Sequence, residues 1–206
     1  LANGVFSQGI MQATGARYLS VFALSGKQAD VLAARNNPAA HAHLPKAAVG
    51  VYGEKRFLLQ NLSLLQASAG FNTSSGNFGI HAGYFGFSAQ NQLDLSLAYG
   101  RKISKILEAG TTFHYHTLRQ SGIYGSASTI TGSFGLLLQL SDQVRAGISA
   151  YNPFRAKWGK AEDERIPSRY SFGLGMDVND ALFVGADLVK EENLPTDVQV
   201  ALHYSF

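Results

Sequence analysis

The chain has no cysteine, which excludes a disulfide scaffold, a cysteine-ligated zinc site, a thiol nucleophile and a lipid anchor on an N-terminal Cys. Charge is sparse too: 15% of the 206 residues are charged against 46% hydrophobic, an ordinary apolar content on unusually few charges. No run reaches the roughly 20 apolar residues of a spanning helix, so a membrane-spanning form must be a β-barrel. The net charge of +3 rests on scattered Lys and Arg with no basic cluster interleaved with aromatics, and no nucleic-acid partner is expected. Leu1 opens no charged and apolar leader, so an exported protein would stand here in its mature form. A nucleophile elbow, a phosphate-binding glycine loop and an H-E-x-x-H pair are missing. No enzymatic activity, cofactor or metal is therefore expected.

What the chain does have is glycine and alternation. Twenty-two glycines against five prolines suit many strands with tight turns and close backbones. Residues 1–45 read as an irregular, partly buried prefix, stopped at Asn36-Asn37-Pro38 because Pro38 disfavours a helical Asn37. From residue 46 onward the period becomes two. Strands are predicted over 46–56, 60–71 and 78–88, around Leu93 to Tyr99 and Leu107 to His116, then over 128–140, 143–152, 168–178, 181–190 and 197–206. About ten strands of roughly ten residues each have the length of tilted membrane strands, twice the usual soluble one. Connections near 72–77, 104–105, 141–142 and 179–180 are mostly short, whereas 117–127, 153–167 and 191–196 are mostly longer, the asymmetry of a bacterial barrel with its short rim in the periplasm. The predicted fold class is all-β, a transmembrane antiparallel up-and-down barrel (46–206) preceded by a hatch-like segment (1–45). A soluble β-sandwich is the competing reading.

Asp94, Glu108, His114, His116, Arg145, Asp177, Asp187 and His203 alternate with apolar neighbours and so face inward in a barrel. Mixed signs let them neutralise one another as a lumen network. The alternative is a metal or proton site on His114 and His116, which share a strand face but lack a third ligand nearby in sequence. Tyr84, Phe85, Phe87, Tyr99, Phe113, Tyr115, Tyr151, Phe154, Tyr170 and Phe172 gather toward strand ends, as interfacial girdles require. Tyr204 and Phe206 end an alternating strand that resembles the C-terminal assembly signal of Gram-negative outer-membrane barrels. That strand is expected to close the barrel against residues 46–56.

Gly15-Ala16-Arg17, Ala29-Asp30, Asn37-Pro38-Ala39 and Tyr52-Gly53-Glu54 are followed by Tyr99-Gly100-Arg101-Lys102, Tyr151-Asn152-Pro153-Phe154 and Ile166-Pro167-Ser168-Arg169-Tyr170. Together they resemble the PorV/PorQ-like branch of the FadL-type outer-membrane proteins of Bacteroidetes. The resemblance implies a bacterial outer-membrane location, with outer-membrane lipid around the wall. It also implies a lumenal N-terminal hatch carrying Asn37, Pro38 and Ala39. The chain departs from the family in strand number, about ten where such barrels have about fourteen, and it lacks the usual glycine pair and paired aspartates between Ala16 and Asn36. A narrow barrel with a polar interior leaves little room for an open channel. The expected role is thus a non-catalytic accessory subunit of a larger outer-membrane complex for secretion or barrel assembly, making contact through 117–127 and 153–167 or its lipid face. A FadL-like channel for hydrophobic small molecules is the alternative.

Overall fold

The computed structural model describes residues 23–27, 31–44, 46–55, 58, 62–121, 125–158 and 165–205. Ten strands follow in order: β1 (Ala47–Lys55), β2 (Ser63–Thr73), β3 (Gly76–Phe87), β4 (Gln90–Lys102), β5 (Leu107–Gln120), β6 (Ser126–Gln139), β7 (Val144–Tyr151), β8 (Arg169–Asp177), β9 (Leu182–Glu191) and β10 (Thr196–Tyr204). Each pairs antiparallel with the next, giving one up-and-down sheet in sequence order. The predicted alternation explains why. Outward positions carry large apolar side chains left bare, among them Val49, Ile80, Leu97, Phe113, Ile130, Phe172, Val198 and Leu202. Inward positions are buried and largely polar. A soluble sandwich would bury the first set, so this wall is one that a bilayer must cover.

Several local expectations change. The polar stretch 72–77 is mostly strand: β2 and β3 are joined only by Ser74 and Ser75, with the Thr73 hydroxyl donating to the Gly76 carbonyl at 2.6 Å. The connection at 117–127 is likewise shorter than expected, because β5 runs to Gln120 and β6 starts at Ser126. Of the loops on that rim only 152–168 is long. Tyr151 does not join a girdle; it turns into the lumen, its hydroxyl 2.9 Å from His116 Nε2, and Phe113, expected in a girdle, stands outward in the middle of β5. Phe71, Phe78 and Tyr99 cluster along the outer wall by the short-turn rim, the first pair stacked and the second tilted, with ring centroids 5.8 and 5.1 Å apart. Phe206 lies outside the described residues. Among the described residues β10 is in register with β9 alone, so the expected β1–β10 closing pair is not part of the hydrogen-bonded sheet.

The core sits inside the wall and is supplied by the prefix. Ala23 and Leu24 pack with Ala34, Ala39 and Ala40 against Leu137, Phe183 and Ala201. A second cluster joins Val31, Leu32 and Leu44 to Ala48 and Tyr52 of β1. The prefix enters beside the 178–181 turn, where Lys27 Nζ lies 2.6 Å from Asp180 Oδ1. It leaves at the start of β1, on the same rim.

Candidate functional site

Two short 3-10 turns, Ala33–Arg35 and Pro38–His43, form the part of the prefix that lies against the inner wall. Asn37 is extended (φ −137°, ψ 110°), as a residue before proline must be, and Pro38 opens the helix where no amide donor is needed. The Asn37 side chain accepts from the Ala39 amide at 3.0 Å, while its Nδ2 reaches the carbonyls of Leu136 at 3.3 Å and Ile148 at 3.4 Å. One side chain thus caps the helix and ties it to β6 and β7. Asn37, Pro38, Ala39 and Ala40 are all buried.

The wall makes room for this segment with glycine. Gly100, Gly110 and Gly135 are successive cross-strand partners on β4, β5 and β6. A Cβ on Gly110 would collide with the Pro38 carbonyl, one on Gly135 with Asn37 Oδ1, and one on Gly100 would lie 2.7 Å from His41 Cβ. Gly147 on β7 leaves the same kind of space for Leu24. The groove extends across neighbouring strands, so the inward glycines of the sequence record where the prefix lies.

Carboxylates then anchor it. Asp94 Oδ2 is 3.2 Å from Arg35 Nη2, Glu108 Oε2 is 2.5 Å from His43 Nε2, and Asp177 accepts from the Ser25 hydroxyl at 2.7 Å and the Gly26 amide at 2.9 Å. Arg145 Nη2 approaches Glu108 Oε1 at 4.0 Å, and its Nε donates to Gln139 Oε1 at 2.5 Å. The inward charges were expected to balance one another across the wall. Arg145 with Glu108 and His116 with Asp94 are such contacts, and the prefix adds Arg35, His43 and the Ser25–Gly26 donors. The Asp94–Arg35 pair is nearly fully desolvated, with side chains 2% and 14% exposed, and removing one partner would strand the other.

Above this pair β4, β5 and β6 build a connected polar ladder. The Ser96 hydroxyl lies 2.6 Å from Asp94 Oδ1 and 2.8 Å from His114 Nδ1; His116 Nδ1 lies 3.3 Å from Asp94 Oδ2. The far ring nitrogens rest on Ser133 (2.7 Å) and Thr131 (3.0 Å), and the two imidazoles stack 5.6 Å apart. Asp94, His114 and His116 therefore converge, their ligand atoms within 4.8 Å of one another. The third ligand absent from the local sequence comes from the adjacent strand, because Asp94 is the cross-strand partner of His116. Asp187 is buried in the lumen on β9, whereas His203, on the inner face of β10, is half-buried at the short-turn rim with Nε2 3.0 Å from Ser205 Oγ. Arg35, Ser96, Ser133, Thr131 and Tyr151 were missed as members of this constellation. Strand alternation marks the last four as inward, but nothing local in the sequence marks Arg35.

The opposite mouth is covered by the long loop. Trp158, the sole tryptophan, is buried with its ring 6.3 Å from that of His116, and Ile166 is fully buried. Asn152 holds the loop's base: its Nδ2 donates to the Ile166 carbonyl at 2.7 Å and its Oδ1 accepts from the Ala156 amide at 3.0 Å. The stretch expected to be an exposed contact surface thus turns its tryptophan inward, while residues 159–164 lie outside the described residues.

On the outside of the wall, Ala67, Ala69 and Ala82 leave a depression between Val49, Ile80, Leu95, Leu97, Phe113, Tyr115 and Ile130. It is an apolar groove of about 590 Å³, backed by the strand positions of Ser68, His81, Ser96 and His114. No family model and no curated protein matches the chain. Among solved structures it is similar to a CymD monoaromatic hydrocarbon channel, with a TM-score of 0.58 over 91% of this chain and 73% of that one, at 12% identity. The wall has the fold of an outer-membrane channel. At that identity the likeness concerns the fold, and the transmembrane all-β expectation stands on it together with the inside-out distribution of polar and apolar residues.

Proposed function

We propose that the protein is an outer-membrane channel of the FadL type that passes small hydrophobic molecules, with the prefix as its hatch. The observation that carries this reading is the apolar groove on the lipid side. Its volume lies within the range of small-molecule sites, and small side chains form its floor. Its likeness in fold to a monoaromatic hydrocarbon channel supports the same class of cargo. Uptake of a labelled monoaromatic hydrocarbon into cells producing the protein tests it. Ala82→Phe, which fills the groove from the lipid side, is expected to cut uptake severalfold while leaving the folded, heat-modifiable band on gels. Uptake equal to that of cells without the protein would overturn the reading.

A second reading has its own observation. The lumen is occupied from one rim by the prefix and covered from the other by Trp158 and Ile166, which favours a non-transporting accessory subunit of a larger outer-membrane machine, as in PorV-like proteins. Purification from native membranes in mild detergent separates the two. A stoichiometric large partner supports the accessory role, and a monomer carrying hydrophobic cargo supports the channel.

A further inference from the structure

The polar ladder is more than a lumen filler. We propose that Asp94, His114 and His116 form a binding site for a divalent transition metal of the zinc type, and that Arg35 of the prefix is the cation that competes for it. This inference is independent of whether the barrel conducts.

The donor set is two imidazole nitrogens and one carboxylate, which suits zinc, nickel or copper better than calcium or magnesium and leaves a fourth coordination position open. All three residues are at least nine-tenths buried and stand on β4 and β5, where strand pairing fixes their backbones. Their ligand atoms lie within 4.8 Å of one another, and their side chains must rotate inward for all three to reach one ion.

The surroundings are those of a ligand shell. Ser133 holds His114 Nε2, and Thr131 and Tyr151 both reach His116 Nε2, the last at 2.9 Å. A hydroxyl donates or accepts with equal ease. The Ser96 hydroxyl donates to Asp94, so the metal-free tautomer that fits these contacts carries the proton on Nδ1 and leaves Nε2 to accept. With metal, the same rings carry their protons on Nε2, donate to these hydroxyls, and turn Nδ1 lone pairs to the ion. Outer hydroxyls that fix a ring's orientation and tautomer are what a metal-binding histidine requires.

Arg35 supplies the second half of the argument. Its guanidinium already places a positive charge 3.2 Å from Asp94 Oδ2, the carboxylate oxygen that also faces His116. A metal ion at this carboxylate replaces one cation with another. The exchange detaches one of the prefix's anchors, so metal occupancy and seating of the prefix are thermodynamically linked.

Titrating Zn²⁺ into the folded barrel in detergent, followed by calorimetry, tests the site, with Co²⁺ absorption as an optical probe of nitrogen ligation. One equivalent is expected to bind. Asp94→Asn and His116→Gln should each weaken binding at least tenfold, and Arg35→Gln should tighten it. The heat-modifiable gel shift reports whether each variant is folded. Where an Asp94 or His116 variant does not fold, the Co²⁺ spectra of the wild type and Arg35→Gln take its place, and absence of a ligand-field band in both overturns the site. Failure of both the wild type and Arg35→Gln to bind, or unchanged affinity in the folded Asp94 and His116 variants, also overturns it.

Discussion

Asn37 Oδ1 occupies the volume that a side chain on Gly135 would need. The helix cap of the prefix and the bare backbone of β6 are thus one feature, and the prefix can adopt its position only where the wall has no Cβ. Gly135→Ala is expected to dislodge Asn37 and destabilise the prefix seat by about 1–3 kcal/mol, the usual cost of overpacking. Limited trypsin digestion reads this directly, because cleavage after Arg35, whose side chain is 14% exposed, should accelerate. Gly132→Ala is the control: a Cβ there meets nothing closer than 3.9 Å and should leave digestion unchanged. Equal digestion of both variants would refute the glycine seat.

Asn37 itself separates capping from tethering. Asn37→Asp keeps an acceptor for the Ala39 amide but loses the donor to Leu136 and Ile148; Asn37→Ala loses both. Loss of the cap costs about 1 kcal/mol and each orphaned bond a comparable amount, so protease protection should fall in the order wild type, Asp, Ala. An aspartate variant as protected as the wild type would mean that the tether to the wall is idle.

At the short-turn rim Lys27 and Asp180 form an exposed pair that depends on pH at both ends. The hydrogen bond to Asp180 raises the pKa of Lys27 above its ordinary 10.5, and the bond from Lys27 lowers that of Asp180 below its ordinary 3.8. The depressed carboxyl stabilises above pH 3.8, and this is lost as pH falls through its lower folded value. The raised amine stabilises below pH 10.5, and this is lost as pH climbs through its higher folded value. The coupling in a Lys27→Ala/Asp180→Ala double-mutant cycle should therefore be small but measurable at pH 7. It should weaken progressively as pH falls below 3.8 and shrink in high salt. Coupling that survives acid would exclude an ionic origin.

Much of this architecture was legible because strand alternation is a local signal: Leu93, Leu95 and Leu97 against Asp94 and Ser96 declare both faces of β4 without reference to any partner. The cluster of Asp94 with His114 and His116 was only half legible, since the histidines share a strand while their carboxylate arrives through register with the neighbouring one. Arg35 was not legible. Its role comes from the path of an irregular segment through the lumen, which no periodicity encodes. Trp158 misled for the opposite reason, because a charged loop composition reads as solvated although one apolar side chain within it is held down through Asn152.

That tryptophan is a ready reporter. As the sole tryptophan it should emit at short wavelength and resist acrylamide quenching. Asn152→Ala removes the bonds to Ala156 and Ile166 and should shift the emission red with several-fold faster quenching. If the loop closes this mouth, the same variant should raise small-solute permeation in liposome swelling. An unshifted spectrum would place the hold on the loop elsewhere.

The lipid-facing wall makes the last prediction, because it reverses the usual cost of a surface charge. Phe113 is 62% exposed in the middle of β5, a position at which a soluble protein would accept arginine with little effect. In a bilayer an outward Phe113→Arg at the midplane should cost about 2–4 kcal/mol, falling to about 0–1 near the interface, as at Ile103 beside the short turn before β5. Equilibrium unfolding from lipid bilayers measures both, and the decisive quantity is the difference between them. A gradient with depth requires a membrane across β5; equal small penalties would mean that water, not lipid, covers this face.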